Sequence, residues 1–318
     1  MATRFWVLGS GNWTPTATAN WSTSSGGSGG ASAPTAADTV VFDVGSNVGT
    51  GVFTVTVTSG VCLDMTFGTG ASALDGVMTL AMGTSSLTVS GNWTNPATNF
   101  GYSGTGTITF NATSSKTITT NGVAMVSNIT FNGVGGTWQL QGPLTTGTAQ
   151  TITLTNGTFD LNNNDVSCGT FLANNTNTKT IAFGTGQFYL TASNTNVWRT
   201  DDVTNTTITG TNPTINVTAN ATTGTRVILN ASTAGAYSKA VNLNVTAGSD
   251  IINVTGSNSM FKSVNFTGYT GPATFGGYVL GNLTLGTGMT NITANGVTML
   301  NYTGTQTLTT NLSSISIP

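Results

Sequence analysis

From Val52 the chain reads VFTVTVTSG, apolar at every second position with threonine between. The same alternation runs through GTITFNATSSKTITTNG from Gly106 and TLTTNLSSISI from Thr307. Period-two alternation puts one set of side chains on each face of an extended backbone, so these segments are predicted half-buried strands. Helical periodicity is nearly absent, because the residues that build a solvated helix face are too few. Asn-Gly pairs at Asn121-Gly122, Asn132-Gly133, Asn156-Gly157 and Asn295-Gly296 punctuate the strands as turns.

Parts of the pattern repeat. ITTNGVAMV (118–126) matches ITANGVTML (292–300), with Met125 and Met299 in the same place. VSNITFNG at Val126, KSVNFTGYTG at Lys262 and LGNLTLGTG at Leu280 share a related core. Short strands recurring with turn signals suggest coils stacked on coils, each strand pairing with its equivalent one coil away. The expected fold is therefore an all-β parallel β-helix, or β-solenoid, with an N-terminal cap. About ten rungs at ~4.8 Å would give a stack of about 50 Å. Tandem β-sandwich or jelly-roll domains also use alternating strands and form the competing architecture.

One shift in composition interrupts the pattern. Residues 22–37, STSSGGSGGASAPTAA, carry no strand signal, and DTVVFDVG then opens the first strong strand. The expected organisation is an N-terminal region over 1–60, holding the cap and first strands, and a repetitive body over 61–318. The end, NLSSISIP, stops in mid-strand character. That leaves a sticky edge, so the body is expected to continue beyond 318 or to be covered by another subunit.

Composition narrows the chemistry. Of 318 residues 37% are hydrophobic, and only 5% are charged, giving a net charge of −2. An average domain is roughly 25% charged. Stacked coils account for the deficit, since identical rows favour Asn and Thr ladders and disfavour like charges. The seven basic residues, Arg4, Lys116, Lys179, Arg199, Arg226, Lys239 and Lys262, are scattered singly. Nucleic-acid binding needs them clustered. No basic amphipathic helix suggests a membrane surface, and no apolar run reaches the ~18 residues of a span. The start, MATRFWVLGSGNW, lacks the apolar core of a secretory signal. Histidine and glutamate are absent, and all nine acids are aspartate. This removes the usual Ser-His-Asp and Cys-His constellations and His-based zinc sites. Cys62 and Cys168 form no paired motif and read as small buried hydrophobes. No cofactor or metal motif is found.

The opening, RFWVLGSGNWTPTATANWSTSSGGSGGASAPTAADTVVFD, sets Trp6, Trp13, Asn20, Trp21 and Ser22 before a Gly/Ser loop, then Pro34, Asp38, Val40 and Phe42. It resembles the N-terminal signature of β-solenoid surface proteins, most nearly uncharacterised structural proteins of tailed bacteriophages. The body segments ITFNGVGGTWQLQGPLTT (129–146), LTNGTFDLNNNDVSCGTF (154–171) and KTIAFGTGQFYLTASNTNVW (179–198) look like rungs of that group. The likeness covers about two-thirds of the chain. It implies a place in tail fibres, tailspikes or head decorations, and it supplies no catalytic motif.

Several residues invite a sharper reading. Trp6, Trp13 and Trp21 precede the first strong strand, and they read as the lid of the first coil rather than as a sugar platform. Tyr189, Trp198, Tyr237, Tyr269 and Tyr278 lie near Gly-rich or polar stretches and are the candidate rings for stacking on host polysaccharide. Core stacking is the competing role for each. Asp201 and Asp202 follow Trp198, the residue types that glycan cleavage uses. Adjacent strand residues point to opposite faces, however, so this pair would share a pocket only in a loop. Asp160 and Asp165 flank LNNN, a turn that could hold calcium through oxygen ligands or exist for conformational reasons alone. Asn-x-Ser/Thr triplets, as at Asn92, Asn128, Asn216, Asn244 and Asn282, arise from strand alternation itself.

The expectation for function is a non-enzymatic virion structural protein, a tail-fibre or spike component touching the host surface. It would be made in the host cytoplasm and carried on the particle. Its partners would be other virion proteins, further copies of itself (a trimer among the forms) and a host glycan. The alternatives are a head decoration or assembly protein, a bacterial adhesin and a polysaccharide depolymerase.

Overall fold

The computed structural model describes residues 1–47, 49, 51–193, 195–200, 204–230, 237–254, 259–300 and 306–310. The protein is a β-solenoid of about eleven turns, with no α-helix among the described residues. Parallel pairing runs along it, which overturns the sandwich alternative, since sandwiches are built from antiparallel neighbours. Contacts divide the chain into two units. One holds residues 1–150 and 156–159, and the other holds 151–155 and 160–318.

In the first unit a turn contributes up to three strands. Phe53–Val57, Gly60–Cys62 and Met65–Phe67 form one turn, and Met78–Gly83, Ser86–Val89 and Trp93–Thr94 form the next. Each pairs in parallel with its equivalent: Phe53 with Met78, Gly60 with Leu87, Met65 with Trp93. Pairing crosses the boundary expected near residue 60 without a break, because Thr39–Phe42 already pairs with Met65–Phe67. Alternation sorts the side chains as the pattern predicts. Phe53, Val55 and Val57 are buried while Thr54 and Thr56 are half-buried on the other face. Inward residues then stack turn on turn: Val89, Phe110 and Phe131 share one row, and the last two rings lie 5.5 Å apart at 16°. Such a ring pair adds about 0.5–1.5 kcal/mol beyond the area it buries. Outward residues form neutral rows, one of them Thr88, Thr109 and Thr130.

Close stacking explains the glycines in NGVGG. A Cβ at Gly133 or Gly136 would collide with the carbonyl of Ala112 on the neighbouring turn, and Gly135 holds φ 74°, a left-handed value that glycine adopts without strain.

The second unit repeats the plan. Val166, Phe188, Ile215, Leu243, Val264 and Leu283 make an inward row. Beside it, Ser167, Tyr189, Asn216, Asn244, Asn265 and Thr284 make an outward one. Asn244 Nδ2 donates to Asn216 Oδ1 at 2.9 Å, and Asn216 Nδ2 donates to Gln187 Oε1 at 2.9 Å. The expected Asn ladder is therefore present.

Candidate functional site

The chain begins with the three tryptophans. Strand Thr3–Trp6 pairs in parallel with Thr39–Phe42 on one edge, and on its other edge with the antiparallel Trp21–Ser22. Trp6, Trp13 and Trp21 are at most 1% exposed. Trp21 meets Trp6 at 5.1 Å and Trp13 at 5.2 Å, both edge to face, and all three rings approach Phe42. Trp6 Nε1 donates to the Gly9 carbonyl at 2.7 Å. None of the three offers a free ring face to a sugar. Nearby, burial alone would raise the Asp38 carboxyl, but hydrogen bonds from Thr35 Oγ1, Ala2 N and Thr35 N, with Arg4 adding attraction, hold it below the usual range.

The five candidate glycan rings divide. Trp198 is fully buried, against the expectation of an exposed ring. It stacks on Phe171 at 4.8 Å and 24°, and its Nε1 donates to Asn230 Oδ1 at 3.0 Å. The cause is a register shift between Asn196 and Trp198, which leaves Val197 and Trp198 both buried. Tyr269 is also fully buried, which corrects its reading as a ligand contact. Its hydroxyl sits between the carbonyls of Asp250 and Pro272 and accepts from Ile252 N at 3.1 Å. Burial pushes its phenol up to about 12, and Asp250 adds to the rise. Beside it Arg226 makes a buried two-point pair with Asp250, Nη2–Oδ1 at 2.6 Å and Nε–Oδ2 at 2.8 Å. The Arg226 guanidinium also donates to the carbonyls of Ala219 and Ala247, so this cluster is internally satisfied.

Tyr189, Tyr237 and Tyr278 are half-buried. Tyr189 stands in the outward amide row. Tyr237 and Tyr278 both pack on the small cluster of Ala240, Met260 and Leu280, so the structure brings these two together.

The acids find backbone partners. Asp160 Oδ1 accepts from Asn162 N at 2.8 Å, and Asp165 Oδ1 accepts from Gln187 N at 3.0 Å. Asp201 and Asp202 lie outside the described residues. Cys62 and Cys168 are free and buried, and burial pushes both thiols well up. Of the Asn-x-Ser/Thr positions, Asn92 is held between turns, its Nδ2 donating to Asp64 and its Oδ1 accepting from Thr117 N. No helix among the described residues is long and apolar enough to cross a membrane.

Sequence reasoning missed a cleft of about 310 Å³ in the first unit. It forms where three successive turns meet at residues 67–74, 94–99 and 121. The sheet of Gly11–Trp13, Phe53–Val57, Met78–Gly83 and Phe100–Gly104 ends at its last strand, and the turn after it supplies no further strand to that sheet. Phe67 and Leu74, both nearly buried, give the cleft an apolar floor. Thr94, Thr98, Asn99 and Asn121 give it a polar wall. Asn99 and Asn121 hold φ of 61° and 49°, left-handed values that Asn tolerates better than most residues. Buried Asn95 braces the wall: its Oδ1 accepts from Trp93 Nε1 and Tyr102 OH, each at 2.7 Å, and its carbonyl accepts from Asn121 Nδ2 at 2.6 Å. The Asn121-Gly122 step, a turn signal, was the sequence feature that pointed to this corner. Compared with protein-family models, with curated proteins and with solved structures, the chain matches none.

Proposed function

We propose that this chain is a structural component of a bacteriophage particle, part of a tail fibre or spike that contacts the host surface without catalysing a reaction. The observation that carries this reading is the parallel stack with its neutral outward rows. Backbone ladders and amide ladders tie each turn to the next, and a surface of carboxamides and hydroxyls offers many weak polar contacts. Glycan contacts of that kind gain strength by repetition, since each further contact becomes intramolecular once the first is made. Further copies of the chain would multiply them again. The resemblance of the opening residues to phage β-solenoid proteins supports the same reading. On it, the protein is made in the host cytoplasm and assembles with other virion proteins. The antiparallel strand and tryptophan cluster at its start act as the cap from which stacking begins.

Gold-labelled antibody against the chain, applied to purified virions, tests the assignment. Label at the tail tips is expected. Label over the head instead would make it a decoration protein, and an absence of label would remove it from the particle.

A further inference from the structure

We propose that the cleft formed by residues 67–74, 94–99 and 121 binds a neutral sugar ring. The proposal gives the host-contact reading its ligand class and rests on that reading for its biological setting. Three observations carry it. First, the polar wall is unsatisfied from within. The hydroxyls of Thr69, Thr94 and Thr98 make no hydrogen bond among the described residues. Asn99 spends its Nδ2 on the Leu74 carbonyl at 3.1 Å, and Asn121 spends its own on the Asn95 carbonyl at 2.6 Å. Both carboxamide oxygens therefore remain open to a donor. Second, none of the residues lining the cleft is charged. An anionic sugar would find no cation there, whereas sugar hydroxyls match amide oxygens and threonine hydroxyls. Third, Phe67 and Leu74 line the cleft and are 8% and 6% exposed, so the small apolar edge each leaves uncovered is what the C–H face of a pyranose would touch. The volume stands at the lower end of the range for small-molecule sites, about 300–1,000 Å³, which suits one or two rings rather than a long chain.

The wall is also preorganised. Asn95 is fully buried and fixes Asn121 through its carbonyl, while its side chain is held by Trp93 and Tyr102. A ligand would then meet the Asn99 and Asn121 amides already in place, and less of the binding energy would go into ordering those two side chains.

The test uses the purified full chain on an array of neutral glucans, galactans, mannans and N-acetylhexosamine oligomers, with sialylated and sulfated oligomers as charge controls. The strongest neutral binder is then titrated against two variants whose thermal melts are checked beside the parent. Ala97→Trp fills the cleft from an exposed position and is expected to abolish binding. Thr94→Val with Thr98→Val keeps the shape, removes two hydroxyls and is expected to weaken binding at least about threefold. If Ala97→Trp fails to fold, the threonine pair decides. The proposal is overturned if no neutral oligomer is retained, if charged oligomers are preferred, or if a folded variant binds as the parent does. Tail-tip label on virions together with any of these results would leave the host-contact reading standing and remove only this site.

Discussion

Asp38 shows how much a single buried acid does at the start of the stack. Its two carboxylate oxygens accept from Ala2 N, Thr35 N and Thr35 Oγ1 at 2.7–3.0 Å, so it fastens the first residues to the loop before Thr39–Phe42. Its folded pKa is lowered, against an unfolded value of about 3.9. The stability it contributes is therefore present above about pH 4 and is lost as pH falls through the lower folded value. Thermal melts taken from neutral pH down to about pH 3 should show the parent losing stability faster than Asp38→Asn, which starts lower but has no carboxylate to protonate. Equal pH slopes would contradict this role. Trp198 teaches the opposite lesson about reading single residues. In NVWRT strict alternation sends Val197 inward and Trp198 outward, but the register shift turns both inward. A bulge costs the sequence no recognisable motif, so the reversal is invisible without the pairing partner.

Strands were more readable than residues, for physical reasons, but of the four Asn-Gly pairs read as turns only Asn121-Gly122 is one; Asn132-Gly133, Asn156-Gly157 and Asn295-Gly296 lie within strands Asn128–Leu140, Thr151–Asp160 and Asn291–Met299. VFTVTVT and GTITF alternate because one face packs inward and the other carries a Thr row, and both are strands in the structure. The Asn ladder followed from low charge plus stacking, and it runs through Asn216 and Asn244. Local likeness misled elsewhere. ITTNGVAMV and ITANGVTML read as equivalent, yet the first leaves its strand at Thr119 and turns at Asn121-Gly122, while the second runs through strand Asn291–Met299 to all but its last residue. Neighbouring turns decide that difference, and the cleft was missed for the same reason: it exists because a sheet stops. The first turn carries the clearest consequence. Trp13 is 1% exposed and packed edge to face on Trp21, so its ring is spent on packing within the first turn. Trp13→Ala should cost about 3–5 kcal/mol of stability and lower Tm while leaving glycan binding nearly unchanged. Lost binding at an unchanged Tm would restore the sugar-platform reading.

For the molecule taken whole, fold and surface chemistry point the same way. A β-solenoid of about eleven turns keeps most of its large apolar residues inside, Val52 and Val134 being exposed exceptions, and carries rows of neutral amides and hydroxyls on its outer face. Among the described residues two cations are buried, Arg226 and Lys179, and both are held by hydrogen bonds within the chain, Arg226 with Asp250 and Lys179 by the carbonyls of Asn175 and Asn177. They are spent on structure and are withdrawn from any electrostatic partner. On the proposed function, contact with a host would rest on many polar contacts of modest strength. Competition for adsorption measures it most directly. Susceptible cells are incubated with increasing amounts of the purified chain, and the adsorption rate of the phage is followed. The chain is expected to be retained by the cells and to slow adsorption in proportion to its concentration. Cells that retain none of it, with an adsorption rate unchanged at saturating concentration, would contradict host contact.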